Sequence, residues 1–98
     1  MEVYVNLKKW GKCVLLAACD AELLGKTLRE GKIVFQISEQ FYKGPKVSLE
    51  EAINLMRQCS IVNLVGHKIV QKAVEDGLVH PEAVLTISGV PHAQIVKV

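Results

Sequence analysis

From Lys12 to Cys19 both alternations of the chain are apolar, with Cys13, Leu15 and Ala17 on one and Val14, Leu16 and Ala18 on the other. An extended segment of this kind has no face suited to water. It needs cover on both sides and a central place in a sheet. Just before it, Val3, Val5 and Leu7 alternate with Tyr4, Asn6 and Lys8, the pattern of a strand with one buried face. The short link Lys9-Trp10-Gly11 makes the pair a hairpin.

Asp20 stands where a helix N-cap belongs, and Leu23, Leu24, Thr27 and Leu28 follow on one helical side, with Gly31 as the stop. Ile33, Phe35 and Ile37 alternate with Val34 and Gln36, which predicts a third strand over Lys32 to Ser38. Phe41 to Lys46 reads as a loop because Gly44-Pro45 stops regular structure. Ser48 and Glu51 form a capping box ahead of Leu49, Ala52, Ile53 and Met56, a helix that ends near Cys59. Asn63 is placed to cap a further helix carrying Val65, Ile69 and Ala73, with Gly77 at its end. Two β-prone runs, Val84 to Ile87 and Ala93 to Val98, close the chain. The expected fold is α/β of the α+β type. It has a mixed five-stranded sheet and about three helices in the order ββαβααββ, in a single domain over residues 1–98.

The 98 residues, half of them hydrophobic, are rich enough in apolar side chains to exclude disorder. The longest apolar run, Val14 to Cys19, is too short to span a bilayer, and the N-terminus lacks a signal-peptide pattern, so a cytoplasmic location is expected. Cys13, Cys19 and Cys59 sit within apolar patterns and read as buried reduced thiols.

Four stretches, Cys19-Asp20-Ala21-Glu22-Leu23-Leu24-Gly25-Lys26, Phe41-Tyr42-Lys43-Gly44, Asn63-Leu64-Val65-Gly66 and Gly89-Val90-Pro91-His92-Ala93-Gln94, resemble the archaeal family catalogued as domain of unknown function 424. The likeness runs in order over nearly the whole chain. It implies a compact archaeal protein, described at most as a candidate RNA-binding protein, with no catalytic residues to carry over.

Gly25-Lys26-Thr27 has the last residues of a phosphate-binding P-loop, but the earlier glycine that such a loop needs is Asp20 here, whose carboxylate repels an anion. Neither a Cys-x-x-Cys nor a His-x-x-x-His pair occurs, so no metal or cofactor is expected. His92, after a Gly-Val-Pro turn, is the best placed residue for acid-base work. With Asp20 and Asn63 it forms a candidate ligand pocket, unless Asp20 and Asn63 cap helices and His92 bonds to a turn.

A net charge of +2 is mild, so its distribution matters more than its size. Lys8, Lys9, Trp10 and Lys12 crowd one hairpin tip, and Tyr42, Lys43 and Lys46 crowd one loop. Cations attract phosphates and aromatic faces stack on unpaired bases, a pairing suited to single-stranded RNA. Lys68 and Lys72 share a helix face and could extend the patch. The competing reading folds Trp10 and Tyr42 back over the sheet edge and leaves a solvated surface. These seven residues carry the leading expectation, a non-catalytic RNA-binding or ribonucleoprotein-associated module. The alternative is a protein-interaction adaptor, and a small-molecule enzyme using His92 ranks below both.

Overall fold

The structure is a computed structural model that describes residues 2–97, and the side chain of Trp10 lies outside the description. Strands β1 (Glu2–Trp10) and β2 (Cys13–Asp20) form the expected hairpin, in register from Val3 opposite Asp20 to Trp10 opposite Cys13. The chain then makes a 3-10 turn (Ala21–Leu23), strands β3 (Thr27–Glu30) and β4 (Ile33–Gln36), and the short helix α1 (Glu39–Tyr42). Next come β5 (Lys46–Ser48), α2 (Leu49–Met56), β6 (Ile61–Val65) and α3 (His67–Glu75). A second 3-10 turn (Pro81–Ala83) leads to β7 (Leu85–Ile87) and β8 (Val90–Val96).

Six strands, not five, make the main sheet, in the order β5-β1-β2-β6-β8-β7, and β3 and β4 pair as a separate ribbon. The sheet is mixed because β2 and β6 run parallel, while its other neighbours are antiparallel. The two-sided pattern of β2 finds its explanation here. On one face, Leu16 and Ala18 join Val3, Val5, Val62 and Leu64 beneath α2 and α3. On the other, Leu15, Ala17 and Cys19 pack with Val65, Ile37 and Tyr42 beneath α1 and the β3–β4 ribbon. Leu16, Ala17, Ala18 and Cys19 are all fully buried.

Local sequence signals hold where the partner is local. The Ser48 hydroxyl accepts from the Glu51 amide at 3.1 Å and starts α2. The last turn of α3 closes with Leu78 N–H donating to the Ala73 carbonyl and Gly77 N–H to that of Val74, the paired bonds of a glycine-terminated helix.

Three expectations are corrected. No helix spans Leu23 to Leu28. Gly25, at φ 87, turns the chain after one 3-10 turn, Gly25 N–H bonds to the Ile37 carbonyl, and Thr27 onward pairs with β4. Gly31 therefore sits in the turn of that ribbon rather than at a helix end. Nor does Asn63 cap a helix, since it lies midway along β6, between Ala17 of β2 and Gln94 of β8. Finally, Phe41 to Lys46 is not all loop, because Phe41 and Tyr42 end α1 and Lys46 begins β5, opposite Tyr4.

Candidate nucleic-acid interface

The register of the sheet determines which side chains can meet. The turn of the β1–β2 hairpin, the start of β6 and the end of β8 lie at one end of the sheet, because Trp10 pairs with Cys13 and Ile61 with Val96. The segment after α2 returns to that end, where Ser60 N–H bonds to the Val14 carbonyl at 2.8 Å. Lys8, Lys9 and Lys12 are thereby gathered with Arg57, which follows α2, and Lys97, which follows β8. Among the described residues none of these five cations is in an ion pair with a carboxylate.

Two of the five are held in place. Lys97 Nζ donates to the Met56 and Arg57 carbonyls at 2.8 and 3.1 Å, placing a positive charge at the C-terminus of α2. Lys8 Nζ sits 4.8 Å above the centre of the Phe41 ring and donates to the Gln40 carbonyl at 3.5 Å. Asn6, on the same face of β1, also donates to that carbonyl, at 3.3 Å. These contacts dock α1 on β1 and bring Phe41 beside Lys8, whereas Lys46 lies farther back along β1, opposite Tyr4.

The second basic group is less free. Lys43 pairs with Glu39 at 3.8 Å, and Lys46 Nζ lies 5.2 Å above the Tyr4 ring. Tyr42 corrects the sequence reading, since it is only 2 % exposed and its ring belongs to the core beneath α1. Burial pushes its hydroxyl up to about 12. A helix of four residues has one inward side, and in α1 it is Tyr42 that fills it while Phe41 stays half-buried at the edge. Lys68 and Lys72 do not extend the patch: they pair with Glu22 at 3.5 Å and Asp76 at 3.4 Å.

The candidate pocket of Asp20, Asn63 and His92 does not assemble. Asp20 follows Leu16 and Ala18 on the helix-covered face, whereas Asn63 and His92 alternate with Leu64 and Ala93 and so face the opposite way. Asp20 instead caps α3, accepting from the Lys68 and Ile69 amides at 2.9 and 3.0 Å. Gly66 makes room for it, since a β-carbon there, at φ 122, would collide with the carboxylate. Burial raises the Asp20 carboxyl above its ordinary value, against the lowering effect of those two amides. His92 packs edge-on to Phe35, with ring centres 5.1 Å apart, and burial lowers its pKa.

Of the thiols, Cys19 and Cys59 are buried as expected while Cys13 is half-exposed, and all three are free. Burial pushes Cys19 up to about 12, so it is an inert core residue. Among the described residues no group of three His, Cys, Asp or Glu side chains is placed to hold a metal ion. No described helix is long and apolar enough to cross a membrane.

The model of the family described as "Protein of unknown function (DUF424)" matches residues 9–98. The chain belongs to the DUF424 family. A crystal structure of an uncharacterized conserved protein from the archaeon Methanopyrus kandleri superposes on this DUF424 chain with a TM-score of 0.84 at 29 % identity, covering 97 % of this chain and 90 % of that one. No curated protein matches this DUF424 sequence. Arg57, Lys97 and Phe41 are the members of the basic end that local sequence reading misses. Arg57 and Lys97 reach it only through topology.

Proposed function

We propose that this chain is a non-catalytic, cytoplasmic RNA-binding module, working alone or within a ribonucleoprotein. The observation that carries this reading is the gathering of Lys8, Lys9, Lys12, Arg57 and Lys97 at one end of the sheet without a pairing carboxylate among the described residues. Unpaired cations brought together by rigid strands attract a phosphate backbone, and binding releases the counterions condensed on it. Lys46 stands back from this surface, opposite Tyr4 in β5, and Tyr42 drops out of the contact set because its ring is interior.

The test is a titration of the purified chain against RNA at two salt concentrations. Affinity should fall steeply with salt, by about 0.7–0.9 in the log-log slope for each phosphate neutralised, the lower figure for a single strand. Replacing Lys9 and Lys12 together with alanine should weaken binding and flatten that slope. Undetectable binding at low salt refutes the reading.

A second reading, a protein-interaction adaptor, is favoured by Ile33, Val34 and Leu85, exposed by 51, 58 and 64 % on the ribbon and the adjacent edge strand β7. Exposed apolar groups of this kind suit a protein partner. A stoichiometric protein that stays bound after nuclease treatment would support this reading, and an RNA-dependent association the first.

A further inference from the structure

Resting on the RNA-binding reading, we infer that the ligand is double-helical RNA held through its phosphates, rather than a single strand held by stacked bases. Proteins that bind single strands offer open aromatic faces to unstacked bases, whereas double helices are recognised by shape through phosphate and 2′-hydroxyl contacts. Here each ring whose side chain is described is engaged. Tyr42 is in the core, and Phe41 meets it edge-on at 4.9 Å. Tyr4 lies under Lys46, and Phe35 abuts His92.

Among the rings whose side chains are described, Phe41 is the nearest to the basic end, and it lies under the Lys8 ammonium. A base stacking on that face must displace Lys8. The same event would remove one of the cations that hold the backbone, so stacking and phosphate binding oppose each other at this position.

The layout of charge also favours a double helix. Lys8 lies on the α1 side of the sheet, Lys9 alternates onto the side of Val3 and Val5, and Arg57 follows α2 on that second side. Lys97 lies at the end of β8, three strand spacings or about 14 Å from β1. The cations thus wrap around the end of the sheet instead of tracking one line. A rim of this breadth meets two rows of phosphates at once, as a double helix presents them, while a single strand offers only one.

The experiment uses the full chain, an RNA duplex of about 20 base pairs and one of its strands chosen not to self-pair, long enough to cover a double-helix footprint. Anisotropy titrations of both are run at matched salt. The duplex should bind about tenfold tighter or more, and its log-log salt slope should fall by about 0.9 for each of Lys9→Ala and Arg57→Ala. A single strand bound as tightly as the duplex overturns the inference and leaves RNA binding standing. No binding to either at low salt removes the RNA reading and the inference together.

Discussion

Asp20→Ala tests whether one carboxylate ties the end of β2 to the start of α3. Asp20 is 2 % exposed and receives two amides, that of Ile69 buried and that of Lys68 part-buried. A buried donor left without its partner costs about 1–3 kcal/mol, so Ile69 contributes about 2 kcal/mol and Lys68, which water can reach, about 1. Loss of a negative charge at a helix N-terminus adds about 0.5 kcal/mol. Alanine also removes the cost of burying the carboxylate, which shows in its raised pKa, and this offsets part of the loss. The net expectation is about 2–3 kcal/mol, a large share of the roughly 5–15 kcal/mol typical of a domain. Urea unfolding should show a lower midpoint with an unchanged slope, and the Ile69 amide should lose hydrogen-exchange protection relative to amides in β2. Asp20→Asn keeps one acceptor oxygen but turns its NH2 toward a second donor, so it should cost about half as much. A loss under about 1 kcal/mol for alanine, or an Ile69 amide as protected as before, would refute the capping argument.

Two further perturbations follow from the same geometry. Because burial beside Phe35 lowers the His92 pKa below its ordinary 6.5, the unfolded chain takes up that proton first. The His92 contribution is therefore complete above the unfolded value and is lost as pH falls toward the folded one. His92→Leu should flatten the acid side of the urea midpoint plotted against pH, and an unchanged slope would contradict the burial argument. Gly44→Ala places a β-carbon against the Val5 carbonyl, so it should push β5 away from β1 and cost about 2 kcal/mol by urea unfolding, a typical cost of overpacking. A neutral effect would show that this edge of the sheet yields freely.

What could be read from the chain depended on how far each residue's partner lies along it. The two-sided pattern of β2 and the Ser48 cap are legible because alternation and a three-residue reach are local properties. Asp20 has the chemistry of a cap, but the amides it holds lie 48 and 49 residues away, and no window around position 20 contains them. The spacing of Leu23, Leu24, Thr27 and Leu28 fits a helix as well as it fits a turn followed by a strand. Tertiary bonds from Gly25 and Ile37 decide between them. At the candidate interface, Lys8, Lys9 and Lys12 are visible as a cluster, while Arg57 and Lys97 join only when β6 and β8 take their places. Phe41 and Tyr42 are adjacent and chemically alike, and only docking of α1 decides which one turns inward.

The eight residues of β2 are shared property: one set of side chains belongs to the layer under the helices, the next to the layer under the ribbon. A molecule built this way has no intact half to retreat to. Water admitted along either side reaches the common spine, so loss of order on one side spreads to the other, and melting should proceed in a single step.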